Sequence, residues 1–515
     1  MANYQWTGSA GTNFLTPENW VLEPGGGPAT VPPGPNDSVT IDNTALPITG
    51  SGTAADLIFK DTDEIAGHLT ATIGIPVNAR LTLKPGAILT TPRIGVITGT
   101  LTIGKDSSLV SFGPHDLNDY AIKVAPIAGN ATMLVDGGHA VVNTRNLPVS
   151  VGQAGNGQMT ISNGALVAIG NNDPLIYPWA LVVGNHDNST GRITVSKASL
   201  VARGQVIIGR GGTGKLELNP GASVVAEDVT IGYTAGLSQV SVSEASLVAR
   251  GQVIVGQYAA GALEVNSGAF VVADDMSIGS APTGQGSVSV SGHNARLVIA
   301  NELLVQDLGT GSLTVTQKGS VSVGKGIYVT GTLSLGDGLI ETTALGIDPG
   351  ATLTGHGTVT AVAGFVNNGT ITVINSLTLV GDMDNASTIS VSAGGHLRCF
   401  GTLLSDTGTI ELRADSVATV EAVQSPQTIK FVGTNARLEL RSPGAFTGTI
   451  DGFAKTDTIE LDVEVKSINF ANNVLTIKDH FGTVEAQLQM TGGAYSTGSF
   501  QINPLSNGRS AIVIP

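Results

Sequence analysis

A repeat of 23 to 25 residues constrains the fold of this chain more than any other feature of its sequence. The segment ASLVARGQVIIG at residues 198–209 returns 47 residues later as ASLVARGQVIVG at residues 245–256, and the variant ASVVAEDVTIG lies between them. The repeat is therefore about half of that spacing, and a period of this length is typical of a solenoid. Successive units begin at Gly191, Gly214, Ser238, Gly261, Gly286 and Gly311.

Each unit contains three short stretches in which apolar residues alternate with polar or small ones. In one unit, these stretches contain Ile193, Leu200 and Ile208 in turn. Alternation with a period of two places one set of side chains on the inner face of a strand. A glycine closes the third stretch, Gly209 in this unit, and no helical period with capping residues is sustained. The sequence predicts an all-β fold, a single-stranded right-handed parallel β-helix with three strands in each coil.

The length of the repeat region predicts the number of coils and the need for caps. Units of about 25 residues over residues 46–445 correspond to on the order of 16 coils. An open solenoid exposes strand edges at both ends, and these edges polymerise unless they are covered. We therefore expect residues 1–45 to form an N-terminal cap. We expect residues 446–515 to form a C-terminal β cap or a segment for assembly or export.

Composition and charge exclude several classes of partner. The net charge of -15 would repel nucleic acid and anionic membranes. Because Cys399 is the only cysteine, an intrachain disulfide is excluded. The sequence has no run of about 18 apolar residues that would predict a transmembrane segment. The first 19 residues lack the basic and apolar regions of a Sec signal.

Three stretches share motifs with a known group of repeat proteins. The first is WTGSAGTNFLTPENW at residues 6–20, followed by PGPNDSVTID at residues 33–42. The second is the run of G-x-L-x-V and V-x-I-G units over residues 191–324, and the third is PGATLTGHGTVTAVAGFVNNGTI at residues 349–371. These stretches resemble the passenger-type β-helix repeats of bacterial autotransporters, which are associated with type V secretion.

The resemblance implies an extracellular or cell-surface location. It also implies a C-terminal translocator barrel and a Sec signal, and we find neither in this sequence. The chain instead ends in a segment, FAKTDTIELDVEV from residue 453 onward, that looks like the tail of large repeat proteins exported by other routes. We therefore expect a type I-like export route.

One column of the stack carries charges of alternating sign. Its residues follow the second stretch of successive units, which makes them neighbours in the stack. They are Arg203, Glu227, Arg250 and Asp274, and an alanine precedes each of them, as Ala300 precedes Asn301 in the next unit. The alternation predicts a structural charge ladder. Paired carboxylates at 227–228 and 274–275 leave open a metal site or the acid and base of a polysaccharide-cleaving β-helix, but the intervening Arg250 favours the ladder.

An insertion separates two of the units. The step from Gly157 to Gly191 is 34 residues, and the excess is the segment NNDPLIYPWA at residues 171–180. We expect this segment to loop out of the stack and present Tyr177, Pro178 and Trp179 as a binding loop. In the alternative interpretation, Trp179 folds back and covers the edge of a coil.

Other motifs do not support a catalytic or cofactor site. The glycine-rich segment at residues 209–215 feeds a strand rather than the helix that a phosphate-binding loop requires. The eight histidines lack the paired spacing of zinc ligands. His396 and Cys399 would lie on opposite faces of a strand, which excludes a nucleophile pair. We expect no catalytic residue, no cofactor and no metal.

These expectations combine into a non-catalytic structural or adhesive protein, an adhesin or matrix scaffold. Its expected partners are a surface glycan, a receptor on a host or neighbouring cell, or further copies of itself joined end to end. One alternative function is a self-assembling extracellular filament subunit. The other is a polysaccharide-cleaving enzyme, which would need a groove with Asp, Arg and aromatic platforms, and an aromatic content of 4% argues against it.

Overall fold

The computed structural model describes residues 2–42, 46–112, 120–145, 147–170, 179–404, 407–424 and 426–515, without the side chain of Asn507. The protein is all-β, with 59% of its residues in strands and 2% in helices. Parallel coils stack into a β-solenoid of about 16 turns, which confirms the fold class and the number of coils that the repeat predicts. The chain divides into two compact units, Met1–Val288 and Ser289–Pro515.

In the first unit, the strands form three columns, one for each stretch of the repeat, and neighbours in a column pair in parallel. The first column contains Asp63–Ile65, Arg80–Leu83, Thr100–Ile103, Asn130–Asp136, Asn156–Ser162, Thr190–Ser196, Thr213–Leu218, Leu237–Val242 and Ala260–Val265. The strand Gln285–Ser291 contains residues of both units. The second contains Ile88–Thr91, Ser108–Ser111, Val141–Asn143, Leu166–Ile169, Ser199–Ala202, Ser223–Ala226, Ser246–Ala249 and Phe270–Ala273. The third contains Ser38–Ile41, Ile94–Val96, Ile122–Val124, Val149–Val151, Trp179–Val183, Gln205–Ile208, Val229–Ile231, Gln252–Val255 and Asp275–Ile278. Two longer strands, Ser51–Phe59 and His68–Val77, contribute to the second and third columns.

The second unit has the same three-column arrangement. Its first column contains Thr310–Thr316, Thr388–Val391, Thr409–Leu412, Thr428–Phe431 and Thr449–Asp451. Its second contains Arg296–Ile299, Arg437–Leu440 and Thr458–Leu461, and its third contains Glu302–Val305 and Met383–Asn385. Six strands bend through a corner and contribute to more than one column: Ser320–Val329, Thr332–Ile347, Thr352–Asn367, Thr370–Val380, His396–Leu403 and Val417–Val423.

The core of each coil is a thin apolar layer that the alternating stretches supply. Ile193, Leu200 and Ile208 are all buried, as the alternation predicts. Each pairs with the equivalent residue of the next coil, so that like side chains stack on one another. Burial of apolar area therefore increases with every coil that is added, which is the source of stability in a solenoid.

A column of glycines at the first strands reflects the close approach of two backbones. Gly191 pairs with Gly214, which begins the next unit. A Cβ atom on Gly214 would lie 2.3 Å from the backbone nitrogen of Gly209. Gly209 forms the corner after the third strand and has a φ of +78°, in the left-handed region that favours glycine. The corner thus passes directly over the start of the next coil.

The prediction for Ala300 was wrong by one residue. The alanines at positions 202, 226, 249 and 273 are buried, whereas Ala300 is exposed and its neighbour Ile299 is buried instead. The reason lies in the step from the first strand to the second. The buried Leu297 lies seven positions after the buried Val290, whereas the corresponding step from Val265 to Val271 is six positions. An extra residue in a turn shifts every later position of that coil.

Antiparallel strands and aromatic residues cover the first coil. Asn3–Trp6 pairs in parallel with Ser38–Ile41 and antiparallel with Trp20–Glu23, and the short strand Gly27–Pro28 lies outside it. A 3-10 turn, Pro17–Asn19, precedes the strand Trp20–Glu23. Trp20 is fully buried, and its indole nitrogen donates a hydrogen bond of 2.8 Å to the carbonyl oxygen of Phe14.

Antiparallel strands also cover the last coil of the second unit. Thr458–Leu461 pairs with Ser510–Val513, which in turn pairs with Gln501–Pro504. Next to Thr449–Asp451 lies a three-stranded meander, Val484–Thr491, Val474–Lys478 and Ser467–Ala471. Short 3-10 turns lie at Pro443–Ala445, Thr497–Ser499 and Ser506–Gly508.

An ion-pair network fixes the C-terminal strand, Ser510–Val513. Glu460 is 8% exposed, and its carboxylate lies 3.0 Å from a guanidinium nitrogen of Arg437 and 3.0 Å from one of Arg509. Arg509 directly precedes the strand Ser510–Val513. Because the carboxylate of Glu460 is largely buried and pairs with both guanidinium groups, the network ties the C-terminal strand to the coil beneath it.

Candidate functional site

The corners that follow the third strands stack on one another in the first unit. Arg210 N donates to Gly184 O at 3.0 Å, Tyr233 N donates to Gly209 O at 2.9 Å, and Gln257 N donates to Gly232 O at 3.0 Å. These bonds place the residue after each corner glycine above its equivalent in the preceding coil. We call this surface the turn row, and it consists of Gln153, Asn185, His186, Asp187, Arg210, Tyr233, Thr234, Gln257 and Tyr258.

An open groove of about 500 Å³ lies in the turn row. It is lined by Asn185, His186, Asp187, Arg210, Gly211, Tyr233 and Thr234. Of the side chains in this lining, His186 and Asp187 are exposed, whereas Asn185 is only 5% exposed. The groove therefore combines buried anchoring groups with accessible hydrogen-bonding groups, a combination that is typical of ligand sites.

Arg210 is held in one position by three neighbours. Its guanidinium carbon lies 4.0 Å from the centroid of the Trp179 ring, within the range of a cation–π interaction. Its Nη1 donates a hydrogen bond of 3.1 Å to Asn185 Oδ1, and the guanidinium also donates to the phenol of Tyr120. A guanidinium has five N–H donors, so these two contacts leave donors for a ligand.

The buried side chains behind Arg210 form a hydrogen-bonded support. Asn185 Nδ2 donates to Tyr120 Oη at 3.1 Å and lies 3.4 Å from Ser150 Oγ. Burial raises the pKa of the Tyr120 phenol, and the positive charge of Arg210 together with the hydrogen bonds from Asn185 and Arg210 offsets only part of that effect. The phenol therefore remains neutral at physiological pH. Such a support fixes the orientation of the groups in front of it.

The turn row contains two tyrosines, Tyr233 in the lining of the groove and Tyr258 on the next coil. The ring centroids of Tyr233 and Tyr258 lie 6.1 Å apart with an interplanar angle of 82°, an edge-to-face pair. Tyr258 is 49% exposed. The hydroxyl of Thr234 donates to the carbonyl oxygen of Arg210, and that of Thr283 donates to the carbonyl oxygen of Tyr258 at 2.8 Å. The aromatic surface is thus both accessible and tied to the stack.

The predicted binding loop is only partly within the described residues. Tyr177 and Pro178 lie outside them. Trp179 begins the strand Trp179–Val183, is half-buried and packs on the guanidinium of Arg210. Its ring therefore supports a residue of the turn row, and a direct role in binding stays a prediction.

The four residues of the predicted charge ladder lie at the corners after the second strands. Arg250 Nη1 is 3.1 Å from Glu227 Oε1, which makes them an ion pair between neighbouring coils. Arg203 and Asp274 are exposed at the equivalent corners. Asp228, beside the ladder, accepts a hydrogen bond of 2.8 Å from the backbone nitrogen of Gln252. This carboxylate thus has a structural contact.

Other candidates from the sequence have local explanations. The glycine-rich segment at residues 209–215 leads into the strand Thr213–Leu218. On the strand His396–Leu403, Cys399 faces the core, and burial raises the pKa of its thiol to about 12, whereas His396 is on the partly exposed face. The thiol is therefore protonated and inaccessible.

The described residues contain neither a metal-binding cluster nor a membrane-spanning helix. No three or more of their His, Cys, Asp or Glu side chains are arranged to hold a metal ion. No helix in this part of the chain has the length and apolar character needed to cross a bilayer.

Sequence reasoning missed Arg210, Tyr233 and Tyr258 as neighbours. The signal was present, because each lies one or two positions after the glycine that closes a third strand. Aligning the units on those glycines would have brought the three residues into one row.

No protein-family model matches the chain, and no curated protein is significantly similar to it. The fold and the turn row therefore carry the functional argument.

Proposed function

We propose that this protein is a non-catalytic structural and adhesive β-solenoid that holds a saccharide through its turn row. The observation that carries the proposal is the fixed position of Arg210, which contacts Trp179 and Asn185 beside an open groove. Next to it lies a tyrosine pair in which Tyr233 is half-buried and Tyr258 is exposed. Arginine and aromatic side chains that are already ordered lose little entropy on binding. A stack of coils is a rigid support for such a surface.

The proposed location is extracellular or at the cell surface, as a scaffold or adhesin of the autotransporter passenger type. The support is the resemblance of residues 6–20, 191–324 and 349–371 to such passengers, together with the parallel stacked coils. The net charge of -15 also fits a protein that remains soluble and avoids nucleic acid.

The groove favours binding over cleavage. Glycoside hydrolysis ordinarily needs two carboxyl groups on either side of the scissile bond. Asp187 is the one carboxylate among the described residues that line the groove. It can accept hydrogen bonds from sugar hydroxyls, but it has no partner there to serve as the second catalytic group.

The proposal predicts that saccharide retention depends on the tyrosine pair. The double variant Tyr233→Ala/Tyr258→Ala is expected to lose about tenfold or more in affinity on an array of defined polysaccharides and oligosaccharides, because it removes both aromatic surfaces. Phe270→Ala is the matched control, since Phe270 is an exposed aromatic of the second column, outside the turn row. Equal binding by wild type and the double variant, or no binding of any saccharide by the wild type, contradicts the proposal.

The covered ends predict that the protein does not form filaments. Strands that pair antiparallel with one another cover each terminal coil, and two of the outermost strands, Gly27–Pro28 and Gln501–Pro504, contain proline. Proline removes a backbone donor and blocks further strand pairing. Electron microscopy over a concentration series is expected to show isolated particles of one size. Particles that lengthen with concentration would instead favour the filament function.

A further inference from the structure

We propose that the groove of the turn row takes a neutral polysaccharide, a chain of uncharged hexopyranose units that follows the stack from Asn185 toward Tyr258. This inference rests on the proposed function and specifies the ligand of the same site. It follows from four properties of the turn row: its hydrogen-bonding groups, its aromatic rings, its spacing and its charge.

The hydrogen-bonding groups of the groove match sugar hydroxyls. A hydroxyl both donates and accepts, so a chain of pyranoses needs acceptors and donors close together. The groove offers the exposed carboxylate of Asp187 as an acceptor and the remaining N–H groups of Arg210 as donors. The exposed imidazole of His186 can serve in either role.

The aromatic rings lie next to these polar groups. Tyr233 lines the groove, and Tyr258 follows it on the next coil. One face of a pyranose ring carries C–H groups and packs well against an aromatic side chain. A sugar whose hydroxyls contact Arg210 can therefore be followed by a sugar whose ring packs on a tyrosine.

The spacing of the turn row suits a polymer. Backbone bonds link Gly184 to Arg210, Gly209 to Tyr233 and Gly232 to Gln257, so equivalent positions repeat at the inter-strand spacing of about 4.8 Å. This spacing is close to the length of one pyranose unit in an extended chain. Successive sugars can thus meet successive corners.

Charge selects a neutral chain over an acidic one. The protein carries a net charge of -15, and Asp187 lines the groove itself. A polymer with a carboxylate on every unit would be repelled on approach, and Arg210 could neutralise only one of its charges. An uncharged chain has no such cost.

A peptide fits this surface less well. Extended peptides bind by adding a strand to an open sheet edge. At the corners, Gly184 O, Gly209 O and Gly232 O already accept hydrogen bonds from the next coil. The turn row therefore presents side chains rather than free backbone groups.

Titration calorimetry with two hexasaccharides tests the inference, one a neutral glucose oligomer and the other a galacturonate oligomer of equal length. We expect the neutral oligomer to bind with an affinity that changes little between about 0.1 M and about 1 M salt. Arg210→Met and Asp187→Asn should each weaken it by about tenfold or more. Arg203→Met is the control, because Arg203 is exposed at the corner after a second strand. Asp187→Asn changes an exposed residue, so its effect is not confounded by misfolding.

Three results would overturn the inference. Binding of the acidic oligomer with a steep salt dependence would show that the ligand is charged rather than neutral. If the Tyr233→Ala/Tyr258→Ala variant then lost the acidic oligomer, the turn row would still be the saccharide site and the proposed function would stand. Binding of the neutral oligomer that neither Arg210→Met nor Asp187→Asn weakens would place it outside the groove. Binding of neither oligomer, or of an extended peptide instead, would refute the neutral polysaccharide, and the saccharide array then decides whether the proposed function fails as well.

Discussion

Gly214→Val is expected to destabilise the first unit by about 3 kcal/mol or more. The new Cβ would lie 2.3 Å from the backbone nitrogen of Gly209 and 2.7 Å from the carbonyl oxygen of Val183. Both contacts are with backbone atoms, so no flexible side chain can move away. The corner must shift, and with it the coil-to-coil hydrogen bonds that form the turn row. Chemical denaturation of the purified variant measures the loss.

Gly138→Ala is the matched control for this substitution. A Cβ on Gly138 would meet no atom within 4 Å, and its φ is not in the left-handed region. We expect a change within about 0.5 kcal/mol. If the two variants unfold at the same denaturant concentration, that result would contradict the close approach of the two backbones at Gly214.

Trp20→Ala is expected to cost about 3–5 kcal/mol and to open the N-terminal cap. The Trp20 ring is fully buried, with centroids 4.8 Å from Trp6 and 4.9 Å from Phe14. Its removal leaves a cavity between the cap and the first coil. Because each coil contacts only its immediate neighbours, the loss of stability should be confined to the cap and the first coil. Hydrogen exchange of the backbone over residues 3–6 and 38–41 should therefore speed up most.

Leu22→Ala is the control in the same strand as Trp20. Leu22 is 39% exposed, so its truncation should change stability by less than about 0.5 kcal/mol and leave hydrogen exchange unaltered. Rapid exchange that is confined to residues 510–513 in the Trp20 variant, or no change in exchange at all, would show that Trp20 does not hold the cap.

The repeat predicted the coils because stacking gives equivalent positions the same surroundings. Ile193 and its equivalents in the neighbouring coils face the core, and Gly191 and Gly214 each meet the equivalent backbone corner of their own coil pair, at Gly184 and Gly209. A preference repeated many times is visible in one sequence without an alignment. Handedness and the proposed boundaries at residues 45 and 445 depend on no repeated preference and stay predictions.

The remaining features depend on contacts that do not repeat. One extra residue in a turn moved Ala300 out of its column, and no periodicity signals such an insertion. The contact between Trp179 and Arg210 joins a strand end to the corner of the next coil, and side chains at corners follow no alternation. An alignment of the corner glycines could have found the row of Arg210, Tyr233 and Tyr258, whereas the groove and the contact with Trp179 required the structure.

A structure of the protein with a bound neutral hexasaccharide would test the proposed binding site most directly. We expect an intact saccharide in the groove, with hydroxyls within hydrogen-bonding distance of Arg210 and Asp187 and a sugar ring on Tyr233 or Tyr258. A saccharide bound elsewhere on the solenoid, or one cleaved in the groove, would contradict the proposed site and its non-catalytic function.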